Sequence, residues 1–161
     1  MKKTLIALGT TATLLASALV PTASFASDKV KDGMMEGEIT LNSYTLEQEP
    51  NDTFSNANKV TSNPLGAISS PTDVDIFYLN SRKWSEKITV KLLNIPSGKD
   101  YDLIAYNENG VAIAKSTNLS NDDEEVSFKP TTNTKYYFKV YSADGSHSAD
   151  KYYQIKLWDA Y

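Results

Sequence analysis

From residue 47 onward the chain consists of short segments in which apolar and polar residues alternate, separated by turn formers. In segment 87–93, Ile88, Val90 and Leu92 fall on one face and Lys87, Thr89 and Lys91 on the other. In 135–141, Tyr136, Phe138 and Val140 oppose Tyr137, Lys139 and Tyr141. In 152–158, Tyr153, Ile155 and Leu157 oppose Tyr152, Gln154, Lys156 and Trp158. A period of two places successive side chains on opposite sides of a pleated backbone, so each segment reads as a half-buried strand. Further strands are predicted at 65–68, 74–79, 101–106, 111–115 and 125–128. Pro96-Ser97-Gly98 and Ala143-Asp144-Gly145-Ser146 form turns, and Asn109-Gly110 closes a hairpin. About eight strands with turns every 8–12 residues or so predict an all-β antiparallel sandwich. The one candidate helical turn is 53–58, with Asp52 as its cap. No helical crossover separates the strands, so parallel pairing is not expected.

The chain has no cysteine, which removes disulfide staples and any thiolate chemistry. Stability therefore rests on packing, to which ten Tyr and five Phe are suited in strands. The N-terminus reads as a secretory signal peptide. Lys2 and Lys3 precede an uncharged apolar run, and Ser24-Phe25-Ala26 predicts cleavage after Ala26. The run is diluted by Thr10, Thr11, Thr13 and Ser17 and ended by Pro21, too short for a membrane span. The predicted organisation is a signal peptide at 1–26, a linker or short pro-segment at 27–46, and one domain at 47–161. Removing the signal takes two lysines and moves the net charge from −4 to −6. An acidic, exported chain is not expected to bind nucleic acid or anionic membranes. It is expected to act as a monomer.

Catalytic patterns are missing. His147, the single histidine, sits in a Gly-Ser-His-Ser turn, and there is no G-x-S-x-G elbow, zinc motif or phosphate loop. Asp100 and Asp102 share a strand face and offer a pair of acids for glycoside hydrolysis, but nothing sets them across a cleft. The acids 122–125 read as a solvated loop. A stronger signal is Glu47-Gln48-Glu49-Pro50-Asn51-Asp52, with four candidate oxygen ligands, Glu47, Glu49, Asn51 and Asp52, in six residues. Asp73 and Asp75 form a second acidic pair at the start of a strand. Calcium takes about six to eight hard oxygens, so these two clusters, if they meet, make a calcium cage. The alternative is that Asp52 caps a turn and the glutamates are solvated.

The order of these motifs resembles the bacterial pre-peptidase C-terminal domain. Residues 47–52, with Ala57-Asn58-Lys59-Val60, are similar to its opening. Gly66-Ala67-Ile68 and Asp73-Val74-Asp75-Ile76-Phe77-Tyr78-Leu79 are similar to its next block. Asp100-Tyr101-Asp102-Leu103 with Asn109-Gly110 fits its middle hairpin. Lys135-Tyr136-Tyr137-Phe138-Lys139-Val140 and Tyr152-Tyr153-Gln154-Ile155 fit its last strands. The resemblance covers 47–158. It implies a jelly-roll-like β-sandwich of the kind that trails secreted proteases. By likeness to the related collagen-binding domains of clostridial collagenases, it implies calcium held by Glu47, Glu49, Asn51, Asp52, Asp73 and Asp75. The family's protease domain is not seen ahead of the module, so a free-standing version is expected.

Alternation also places Tyr137 and Tyr141, and Tyr152 and Trp158, opposite the apolar faces of their strands. If those strands are neighbours, the four make an exposed aromatic strip able to bind protein or glycan; otherwise they are ordinary sheet packing. The functional expectation is a secreted, non-catalytic, calcium-stabilised binding module for an extracellular protein, matrix or cell-wall polymer. A chaperone-like or inhibitory partner of a secreted protease is the first alternative, and a hydrolase the second.

Overall fold

Strand β5 (Lys87–Leu93) follows the alternation of its sequence, with Ile88, Val90 and Leu92 fully buried. The same holds for β9 (Lys135–Ser142), which buries Tyr136, Phe138 and Val140, and for β10 (Tyr153–Ala160), which buries Tyr153 and Ile155. The structure, a computed structural model, describes residues 44–160, without the side chains of 159 and 160. The predicted signal peptide and most of the predicted linker lie outside the described residues.

The remaining strands are β1 (Thr45–Leu46), β2 (Asn58–Lys59), β3 (Pro64–Gly66), β4 (Val74–Asn80), β6 (Tyr101–Tyr106), β7 (Ala112–Ser116) and β8 (Glu124–Phe128). They form two five-stranded sheets, ordered β1-β3-β10-β5-β8 and β2-β4-β9-β6-β7. The protein is therefore an all-β sandwich. Two details depart from the sequence reading. Both sheets are mixed, because β1 pairs parallel with β3 and β2 parallel with β4. Both parallel partners are two-residue edge strands, too short to leave an alternation in the sequence. Strand β1 also lies inside the segment expected to be linker, so the sheet begins at Thr45. The expected helical turn is a single turn, in which Asn56 N donates to Thr53 O at 3.2 Å and Thr53 N donates to Asn56 Oδ1 at 2.9 Å.

The core lies between the sheets. Phe77, Phe138 and Ala105 are in register across β4, β9 and β6, and Ile155 lies opposite Leu92 across β10 and β5. The second sheet turns the other faces of β4, β9 and β6 outward, and register sets their side chains in rows. Tyr78, Tyr137 and Tyr106 form one row, and Ile76, Lys139 and Ile104 the next.

The β6–β7 hairpin uses Asn107 as its organiser. Its Oδ1 accepts from Asn109 N and Val111 N, both at 3.0 Å. The left-handed conformation falls on Gly110 alone, at φ +74°. An Asn107→Ala substitution strips both amides of that acceptor and should cost about 1–2 kcal/mol by urea unfolding. An unchanged midpoint would show that water replaces the side chain at no cost.

Candidate functional site: a carboxylate cluster under the N-terminal strap

Residues 47–58 run from β1 to β2 as a strap over one end of the sandwich. Glu47 N donates to Leu65 O at 2.9 Å, extending the β1–β3 ladder by one rung. At the far end Asn58 clips the strap shut: its Oδ1 accepts from Gln48 N at 2.6 Å and its Nδ2 donates to Gln48 O at 2.9 Å. The middle is docked on β4, where Ile76 N donates to Asn51 O at 3.0 Å. The Glu49–Pro50 peptide is cis.

This docking sets three carboxylates against one another. The period of β4 sends Asp75 inward with Phe77 and Leu79, so its carboxylate is fully buried at the end of the core. Tyr153, also fully buried, donates its hydroxyl to Asp75 Oδ2 at 2.5 Å. Glu47 Oε1 accepts from Ala67 N at 2.6 Å, and Glu47 Oε2 from Asn51 Nδ2 at 3.2 Å. Glu49 Oε2 accepts from Asn51 N at 2.9 Å. One oxygen each from Glu47, Glu49 and Asp75 lies within 4.8 Å of the others. Two further acceptors are buried without a donor, Asp75 Oδ1 and Asn51 Oδ1. Such atoms are costly unless something positive reaches them.

The electrostatics follow from that crowding. Burial, reinforced by the Glu47 charge, pushes Asp75 up to about 9. Burial also pushes Glu47 up to about 7, against the opposing hydrogen bonds from Ala67 and Asn51. Glu49 is raised in the same direction by burial and by the charges of Asp73 and Asp52. No cationic side chain among the described residues makes a salt bridge to the cluster. A cavity of about 230 Å³, walled by Leu46, Ala67, Ser69 and Tyr152, opens onto Glu47 and Glu49 and gives access from solvent.

Of the six residues singled out from the sequence, the structure brings four together: Glu47, Glu49, Asn51 and Asp75. Asp52 is exposed and lines a different cavity. Asp73 has both oxygens committed, Oδ2 to Ser69 N and Oδ1 to Val74 N, so it holds a turn; its charge still bears on Glu49 and Asp75. Sequence reasoning missed Tyr153, which reads there as a core residue, and Gly66. A Cβ on Gly66 would overlap the Tyr153 ring end and come within 2.7 Å of Glu47 Oε2. Neither leaves a local signal, because each matters only through a partner distant in sequence.

The expected aromatic strip does not form. Strand β9 belongs to one sheet and β10 to the other. Tyr137 and Tyr141 look out from one side of the sandwich, and Trp158 from the opposite side. Alternation assigned the faces correctly, but it carries no information about which sheet a strand joins. Of the hydrolytic pair, Asp102 is occupied as acceptor for Tyr141 Oη at 2.6 Å. His147 is exposed, with Nδ1 3.2 Å from Gly145 O.

The described residues thus define a class: a two-sheet β-sandwich with a carboxylate cluster, built on the buried Asp75, under an N-terminal strap. A solved structure of the same fold is the pre-peptidase C-terminal domain of a collagenase from Bacillus anthracis, with a TM-score of 0.52 and 19% identity over 70% of this chain and 100% of that one. The resemblance read from the sequence motifs therefore holds in three dimensions. Lower likenesses are to CorA, a surface-associated copper-binding protein of Methylomicrobium album BG8 (TM-score 0.45, 9% identity, 73% of this chain and 98% of that one), and to PliG, a periplasmic inhibitor of g-type lysozyme from Aeromonas hydrophila (0.42, 11%, 71% and 93%). No family model matches the chain, and no curated protein matches it.

Proposed function

We propose that this chain is an exported, non-catalytic binding module whose strap is closed by calcium, and that it recognises an extracellular protein or polymer. The observation that carries the calcium reading is the convergence of Glu47, Glu49 and Asp75 with the two donor-less buried oxygens of Asp75 and Asn51. An ion bonded to oxygen at about 2.3–2.6 Å holds any two ligand oxygens at most roughly 4.6–5.2 Å apart, and the three carboxylate oxygens lie within 4.8 Å of one another. An all-oxygen set without Cys or His favours a hard cation over zinc. Glu47, Glu49, Asp75 and Asn51 hold the ion in this reading, and its charge offsets the repulsion among the carboxylates. The non-catalytic part is supported by Asp102 being tied to Tyr141 and His147 being exposed with no carboxylate bonded to it among the described residues.

Calorimetric titration and thermal melting of the secreted chain test this. Extracellular modules bind calcium at about 10⁻⁴–10⁻³ M. Calcium at 100 times Kd should stabilise by about 2.7 kcal/mol, a melting rise on the order of 10 °C. Chelator should reverse it. A melting temperature indifferent to calcium at about 10–100 mM, 100 times that range of Kd, sinks the proposal.

A further inference from the structure

The outer face of the β2-β4-β9-β6-β7 sheet differs in character from the acidic whole. Register places Lys59 beside Tyr78, Lys139 between Ile76 and Ile104, and Lys115 beside Ile104, with Lys135 one row away. None of the four lysines has a salt-bridge partner among the described residues. Instead, Lys135 lies over Tyr78 at 4.7 Å and Lys139 over Tyr141 at 4.9 Å. The one carboxylate within these rows, Asp102, is engaged by Tyr141. A chain of net charge −4 thus presents a lysine-rich aromatic face.

That face contains a cleft. Phe54, three residues beyond Asn51 on the strap, folds over the sheet, stacking on Tyr137 at 4.5 Å and meeting Tyr106 edge-on at 5.3 Å. Gly110 permits this approach, since a Cβ there would come within 3.1 Å of the Phe54 ring. Phe54, Val74, Ile76 and Tyr106 wall a space of about 430 Å³, which Lys139 and Asp52 also line. Aliphatic and aromatic walls with one ammonium fit an apolar side chain next to a carboxylate. They suit a sugar poorly. The Thr53 hydroxyl is already bonded to Ser55 and Asn56, and sugar hydroxyls buried against Val74 and Ile76 would go unpaired at about 2–7 kcal/mol each.

We infer that this cleft is the module's partner site, and that it takes an acidic peptide segment, seating one aliphatic side chain between Phe54 and Ile76 with a neighbouring carboxylate on Lys139. The inference names the partner class within the binding-module reading and does not depend on the calcium site. Lys59, Lys115 and Lys135 attract the acidic flanks, and steering of this kind weakens with salt.

The test is fluorescence anisotropy of the secreted chain with a labelled acidic peptide carrying one central leucine. Comparators are the same peptide with glycine for leucine, its lysine-for-acid counterpart, and polygalacturonate. The leucine peptide should bind and both peptide comparators should bind at least about tenfold more weakly. Lys139→Met and Phe54→Ala should each weaken binding about tenfold or more, Lys139→Arg should largely restore it, and Trp158→Ala on the opposite sheet should leave it unchanged. Melting curves of the variants establish that each is folded. Equal binding of the glycine peptide, or equal loss from Trp158→Ala, overturns the inference. Binding of polygalacturonate without the leucine peptide also overturns it while leaving the binding-module reading standing. Failure of every probe counts against both.

Discussion

Gly66→Ala should destabilise the domain by about 3 kcal/mol, the upper end of the usual cost of overpacking. The glycine lies in β3 opposite Tyr153 in β10, and the space a side chain would need is already filled from both sides. One obstacle is the Tyr153 ring, fully buried and packed edge-on against Phe77 at 6.5 Å and Tyr101 at 6.2 Å, so it has nowhere to swing. The other is Glu47, pinned to Ala67 N. A methyl group therefore pushes on the core and on the carboxylate cluster together. The expected result is a fall in melting temperature on the order of 10 °C and, under the proposed closure by calcium, a smaller stabilisation on adding the ion. A variant that melts within a degree of the parent would mean that β3 shifts freely, and would remove Gly66 from the site.

How much of this was legible in the sequence depends on the range of the interaction involved. Alternation is local, and it located β5, β9 and β10 and the buried face of each. The acids of the strap were legible because three of them fall within six residues. Which acids converge was not, since that depends on hydrogen bonds made elsewhere: Asp73 and Asp75 look equivalent in sequence, but Ser69 and Val74 claim both oxygens of the first, while the inward face of β4 buries the second. Sheet membership was illegible for a similar reason. Strands β9 and β10 are consecutive, and a chain can close a hairpin or cross to the facing sheet with the same alternation. This chain crosses, and that alone separates Tyr137 from Trp158. The cleft under Phe54 was hidden because it needs the register of β4, β9 and β6 and the fold of the strap at once.

In chelator, the protein should become less stable as pH rises from 5 to 8, the reverse of ordinary acid denaturation. The cause is first the burial of Asp75 and then the company it keeps. Glu47, Glu49 and Asp73 bear on it as like charges, and its nearest donor is the neutral Tyr153 hydroxyl. Its folded value is raised from 3.8 to about 9 and that of Glu47 from 4.5 to about 7. Between the unfolded and folded values the native state holds protons that the unfolded chain has released, so stability is full below about pH 4 and is lost as pH climbs toward those raised values. One excess proton on Asp75 is worth about 1.4 kcal/mol per pH unit, so the loss from pH 5 to 8 should reach on the order of 3 kcal/mol or more. Calcium should oppose the trend, because ligand carboxylates must shed their protons to bind it; its stabilising effect grows with pH, and protons are released on titration in weak buffer. Asp75→Asn separates the two effects. The amide cannot ionise, so at pH 8 in chelator this variant should melt above the parent, while its calcium response disappears. Melting curves at pH 5 and 8, in chelator and in calcium, for both proteins decide the matter. A chelated parent equally stable at both pH values would show that the cluster already shares its charge with solvent, and would leave no buried repulsion for a cation to relieve.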